Sequence, residues 1–152
     1  MIRELVIRNF QAHGKLVLKL DPHVTTIVGP TDAGKSAIIR ALRWVSLNRP
    51  KGSDFRKHGT DRVSVSLRTK THQVTRSRGK KRNSYRLDGK SYHAFGGDIP
   101  EAVSSALALS DLNFQRQIDP PFWFTESAPE VSRRLNQVVD LSLIDSTLSK
   151  LS

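Results

Sequence analysis

Residues 29 to 36 read Gly29, Pro30, Thr31, Asp32, Ala33, Gly34, Lys35 and Ser36, which matches the pattern G-x-x-x-x-G-K-[ST]. In such a loop successive backbone N–H groups nest around a phosphate, and the helix that follows aims its positive end at the anion. Lys35 supplies a mobile point charge for β- and γ-phosphates, and the Ser36 hydroxyl is placed to ligand Mg²⁺. A chance match in a chain of this composition has odds of roughly one in a hundred or fewer. Gly29 to Ser36, with Ala37 after them, therefore form the candidate set for binding ATP and Mg²⁺.

This chemistry needs a strand leading into the loop and a helix leading out. Val24 to Val28 is a short β-branched run that predicts the strand. Ile38, Ala41, Leu42 and Val45 recur at helical spacing, so residues 35 to 47 predict an amphipathic helix closed by Asn48-Arg49-Pro50. Upstream, Ile2, Leu5, Ile7 and Phe10, then Leu16 to Leu20, predict two strands with a break at His13-Gly14. Val63, Val65 and Leu67, then Val74, then Tyr85 and Leu87 before Asp88-Gly89-Lys90, predict an antiparallel meander over 60–95. Val103, Leu107 and Leu109 return to helical spacing. Ser127 and Glu130 have capping-box spacing, and Leu141, Ile144, Leu148 and Leu151 begin a coiled-coil repeat. The fold class expected is α/β, with residues 1–126 as one lobe and 127–152 as the start of a coiled-coil helix.

Composition narrows the partners. The chain has 152 residues, 25 Lys+Arg, 14 Asp+Glu, no cysteine and a formal net charge of +11. Disulfide frameworks and thiolate metal sites are excluded, and the histidines at 13, 23, 58, 72 and 93 lack ligand-like spacing. The start lacks the apolar run of a signal peptide, so a cytoplasmic protein is expected. Residues 49 to 93 hold 14 Lys+Arg against Asp54, Asp61 and Asp88, which is the whole excess. The basic stretch Arg76, Arg78, Lys80, Lys81 and Arg82 is the candidate DNA-phosphate contact; the alternative is a solvated charged face.

Hydrolysis needs a carboxylate at the end of an apolar strand. Val138-Val139-Asp140 and Leu143-Ile144-Asp145 come nearest and are too short. The catalytic acid is expected outside this chain, which by itself should bind ATP without efficient turnover.

The stretch Leu5-Val6-Ile7-Arg8-Asn9-Phe10-Gln11-Ala12-His13, the early phosphate loop, Phe55-Arg56-Lys57-His58-Gly59 and Asn113-Phe114-Gln115-Arg116-Gln117 together resemble the N-terminal lobe of SMC-like ATPase heads. The nearest branch is the SbcC and Rad-type double-strand-break repair ATPases, phage relatives included. The resemblance covers almost all of the chain. It implies a P-loop NTPase N-lobe of ABC type, whose C-terminal lobe carries the signature and the magnesium-binding acid, and two heads that sandwich two ATP molecules and gate DNA and a nuclease. Carried over by position, Lys35 and Ser36 take phosphate and metal roles. Gln117, in the region 113–119, matches the Q-loop glutamine near Mg²⁺, with Gln115 its rival. Arg56, Lys57 and His58 match a loop that approaches the nucleotide from the side. Two departures stand out: Gln11 occupies a slot that is basic in many relatives, and Asp32 replaces a small loop residue, where it either costs about 1 kcal/mol in phosphate binding if partly screened or points to solvent. The competing reading is a nucleic-acid-binding module built on the basic meander with a vestigial P-loop. A self-contained small kinase would need a lid and a substrate site that nothing after residue 100 supplies.

Overall fold

The computed structural model describes residues 1–80, 83–93, 99–115 and 127–139, with side chains of the last stretch through Arg133. The chain divides into two compact units, Met1–Phe114 and Gln115–Ser152.

The first unit is built on a six-stranded antiparallel sheet. Its strands are β1 (Ile2–Phe10), β2 (His13–Lys19), β3 (Arg62–Thr69), β4 (Gln73–Gly79), β5 (Asn83–Leu87) and β6 (Lys90–His93), in the order β2-β1-β3-β4-β5-β6. Alternation places apolar residues on one face. Leu5 stands opposite Leu18 and Leu67, Ile7 opposite Leu16 and Val65, and Val74 opposite Leu67 and Leu87. The tight ends follow from residues that tolerate positive φ. Asp88 (φ 47°) and Gly89 (φ 88°) make the two-residue link between β5 and β6. Asp88 also accepts hydrogen bonds from the Gln73 N–H and from His72 Nδ1, both at 2.7 Å, tying that link to the start of β4. These bonds hold the Asp88 carboxyl below its usual range.

β1 and β3 are sheet neighbours, although 51 residues separate the end of one from the start of the other, and that excursion carries the phosphate loop and α1 (Lys35–Leu47). Ala37, Ile38, Ala41, Trp44 and Val45 form the buried stripe of α1. α2 (Glu101–Leu107) buries Val103 and Leu107 into the same core. It stops at Ala108, which takes a left-handed conformation (φ 47°), so the expected continuation to Leu109 ends there; Leu109 still packs partly against the core. In the second unit α3 spans Ala128–Val139, with the Val131 N–H bonded to the Ser127 carbonyl and Glu130 taking Arg133 at 2.7 Å. The leucine repeat from 141 onward lies outside the described residues.

The strand expected at Val24–Val28 is not formed. This stretch joins no strand in the described sheet, and Val24 and Val28 are 75% and 84% exposed. β-branched residues supply propensity, but a strand is made by a ladder of hydrogen bonds, and among the described residues this segment has no neighbour to pair with. Only Ile27 of this run packs against the core.

Arg76 is the other departure. It is 1% exposed, on the core face of β4, with its guanidinium 5.1 Å from the Trp44 ring centre and 4.6 Å from that of Tyr85. It donates to Asn48 Oδ1 and to the Ser77 and Ser84 carbonyls. Asn48 is the left-handed C-cap of α1, so this cation fastens the end of the helix to the sheet. Burial lowers the Arg76 pKa, and burial pushes the Tyr85 phenol up to about 12 against the pull of the Arg76 charge.

Arg76→Ala should lower the unfolding free energy by about 3 kcal/mol, since it strands buried acceptors and opens a cavity, whereas Lys80→Ala should stay within about 0.5 kcal/mol; urea titrations compare them. Because folding raises the Tyr85 pKa, its contribution is complete below about pH 10 and is lost as pH rises toward 12, by roughly 2 kcal/mol. Tyr85→Phe should remove that part of the alkaline slope in the same titrations.

Candidate nucleotide site

Two segments distant in sequence meet at the N-terminus of α1, and a third packs against the second of them. The first is the phosphate loop itself. Asp32 (φ 62°) and Gly34 (φ 87°) are both left-handed, and the Ala33 N–H turns back to the Pro30 carbonyl at 3.3 Å. The first turn of α1 has no acidic residue and no side-chain cap, so the positive helix end is left uncompensated. Ser36 is exposed on that turn.

Lys35 Nζ donates to the Gly29 carbonyl at 2.7 Å and the Pro30 carbonyl at 2.6 Å. Two neutral carbonyls hold this ammonium, and among the described residues no carboxylate forms an ion pair with it. Asp32 therefore does not neutralise Lys35. The site offers an uncompensated cation and an open helix N-terminus, which suits a polyphosphate.

The second segment is the link between β1 and β2. A Cβ on Gly34 would lie 2.8 Å from His13 Nε2 and 3.2 Å from the Ala12 Cβ, so both its positive φ and its neighbours demand glycine. His13 Nε2 is 3.0 Å from the Gly34 carbonyl and braces the loop from below the helix. Gln11 Oε1 accepts a hydrogen bond from Arg40 at 2.9 Å. The slot that lacks a basic residue is thus met by a guanidinium from α1.

The third segment is 55–57. The Gln11 N–H bonds the Phe55 carbonyl at 2.7 Å, the Lys57 N–H bonds the Asn9 carbonyl at 2.9 Å, and Phe10 bridges Arg56. Phe55 is buried against Phe10 and Trp44, with ring centres 5.1 and 4.8 Å apart. Arg56 and Lys57 are thereby held beside the β1–β2 link, with Lys57 Nζ 3.5 Å from the Ala12 carbonyl; His58 is exposed.

The residues expected to touch DNA separate. Arg76 is buried and cannot reach a phosphate. Arg78 donates to the Gly52 carbonyl, and Lys80 pairs with Asp61 at 2.8 Å, which holds the Asp61 carboxyl below its usual range. Arg78 and Lys80 instead line a cleft of about 200 Å³ with Arg56, over Phe55 and Val63, so sets that the sequence kept apart share one wall. Lys81, Arg82 and Gln117 lie outside the described residues. His13, Ala12 and Arg40 were missed in sequence: each is an ordinary residue type, His13 lies 21 positions from Gly34, and only the fold makes them neighbours.

A family model described as an AAA domain matches residues 4–137. The chain is 39% identical over 66 residues to the DNA repair protein RecN of Xylella fastidiosa, covering 43% of this chain and 12% of that protein. It is 28% identical over 97 residues to the DNA double-strand break repair Rad50 ATPase of Methanococcus maripaludis, covering 60% of this chain and 10% of the relative. The chain thus spans about a tenth of the length of these curated relatives. A solved structure described under "ATP-driven dimerization and DNA stimulated activation of SMC ATPases" superposes with a TM-score of 0.64 at 19% identity, covering 91% of this chain and 97% of the other, and shows the same fold.

Gly34→Ala should cost about 2 kcal/mol of stability from the left-handed backbone alone. Adding His13→Ala should recover only the part due to the 2.8 Å approach, as read from paired thermal unfolding curves.

Proposed function

This chain belongs to the AAA domain family, and on that premise we propose that it is the ATP-binding N-lobe of an SMC/SbcC-like ATPase head acting in DNA double-strand-break repair or recombination. The observation that carries the reading is the Lys35 ammonium without a counter-ion at an uncapped helix N-terminus, inside a loop whose Gly34 has no room for a side chain. ATP would be held by the backbone N–H groups of Gly29 and of residues 31–36, with Lys35 leaving the Gly29 and Pro30 carbonyls for the β- and γ-phosphates. Among the described residues no group of three or more His, Asp or Glu side chains gathers to hold a metal. The Ser36 hydroxyl would hold Mg²⁺, with Gln117 as the expected Q-loop partner. Magnesium supplies charge neutralisation at the phosphates when bound.

Turnover requires a carboxylate from a C-terminal lobe, and the unpaired, exposed Val24–Val28 run supports a second lobe as the missing strand partner. A second head, DNA and a nuclease subunit belong to the same proposal. Among the described residues no helix is long and apolar enough to cross a membrane, and a cytoplasmic location goes with this reading.

Titration calorimetry with a non-hydrolysable ATP analogue should show magnesium-dependent binding that Lys35→Ala abolishes. Equal affinity in wild type and variant would favour a nucleic-acid module with a vestigial loop. The purified 152 residues should release phosphate no faster than the Lys35→Ala variant.

A further inference from the structure

The sheet has two faces, and α1 and α2 bury their apolar residues against one of them. No described element of the first unit covers the other, and the register fixes which side chains it carries. One row across the sheet runs Lys15, Arg8, Ser64, Ser77, Ser84 and His93. The next runs Val17, Val6, Ser66, Thr75, Arg86 and Ser91. A third begins Lys19, Glu4, Arg68 and Gln73. The face is therefore a field of small hydroxyl side chains edged by long cations, in which Ser77 is buried and accepts a hydrogen bond from Arg62 at 3.3 Å and the Ser66 and Thr75 hydroxyls pair at 2.8 Å.

Arg68 is paired with Glu4 at 3.1 Å. Arg8, Lys15, Lys19 and Arg86 are exposed, and none of them forms an ion pair among the described residues. Three of these four lie on β1 and β2, outside the 49–93 segment that holds the net charge. At about 4.8 Å between neighbouring strands the face measures roughly 24 Å from β2 to β6. Large apolar side chains, which a protein partner would use as anchors, are absent from these rows apart from Val6 and Val17. A flat surface with unpaired Lys and Arg and serine or threonine donors suits a phosphodiester backbone, since hydroxyl and cationic side chains supply the bonds that position DNA without reading its sequence.

We propose that this open face of the sheet, through Arg8, Lys15, Lys19 and Arg86 with the serine rows between them, is the surface on which the protein holds the backbone of duplex DNA. The assignment deepens the DNA-repair reading and rests on it for the choice of polyanion, while the face is separate from the phosphate loop. It differs from the basic stretch 76–82, of which Arg76 is buried and Lys80 is paired with Asp61, while Lys81 and Arg82 lie outside the described residues.

The test uses the full chain and a duplex of about 30 base pairs of random sequence, with affinity followed by fluorescence anisotropy over a salt series. Lys15→Glu, Lys19→Glu and Arg86→Glu combined should weaken binding at least tenfold at about 50 mM salt. The slope of log K against log salt should become shallower by about 2.7, at roughly 0.9 for each of the three phosphates no longer neutralised. The milder set Lys15→Gln, Lys19→Gln and Arg86→Gln should give the same direction with thermal unfolding unchanged, which separates charge from misfolding. Lys80→Glu, on the loop, should leave duplex affinity within twofold. Unchanged duplex binding in the triple variants would overturn the proposal, as would a loss confined to Lys80→Glu. Binding of polyglutamate as tight as that of DNA would also overturn it and point to an acidic protein instead. ATP-analogue affinity should be the same in the triple variants and the wild type. Loss of analogue binding in the wild type with DNA binding intact would sink the nucleotide reading and leave this face standing.

Discussion

The contact of Phe10, Trp44 and Phe55 is the joint on which the nucleotide site depends. Phe10 ends β1, Trp44 lies near the C-terminal end of α1 and Phe55 opens the segment that carries Arg56 and Lys57. All three are 0–2% exposed. Their packing fixes the helix over the end of the first strand and brings the β1–β2 link under Gly34. The backbone bonds from Gln11 to Phe55 and from Lys57 to Asn9 then hold Arg56 and Lys57 beside that link. A phosphate cradle needs its N–H groups aimed before the ligand arrives, and burial of three aromatic rings, each worth several kcal/mol, supplies that rigidity.

Arg76 extends the same joint. Its guanidinium lies between Trp44 and Tyr85, and it reaches Asn48, the C-cap of α1, so the C-terminal end of the helix is fastened to the sheet as well. A buried cation without a carboxylate is costly unless aromatic faces and carbonyls replace its water. Here two rings and three acceptors do so. Arg76, the first residue of the run expected to contact DNA, is thereby a structural tie.

The two faces of one sheet thus carry separate tasks. The covered face positions the helix and the phosphate loop, while the open face presents hydroxyls and unpaired cations. Period-two alternation made this division visible within each strand: Val63, Val65 and Leu67 fall on one side and Ser64, Ser66 and Arg68 on the other. Which strands lie side by side was not visible. β1 pairs with β3 across the whole loop-and-helix excursion, so Arg8 and Ser64 become neighbours for reasons no local pattern records.

The sequence by itself determined the phosphate loop, the extent of α1 and the hydrophobic alternation of the meander, because those depend on backbone preference and side-chain period over a few residues. The strand at Val24–Val28 was overestimated for the same reason, since propensity is local and pairing is not. Only the tertiary structure decided that His13 closes on Gly34, that Arg76 faces inward and that the exposed cations of β1 and β2 join Arg86. Each of these depends on strand register and long-range packing, and a charge acts through its distance to other charges in space, which the order of residues along the chain does not contain.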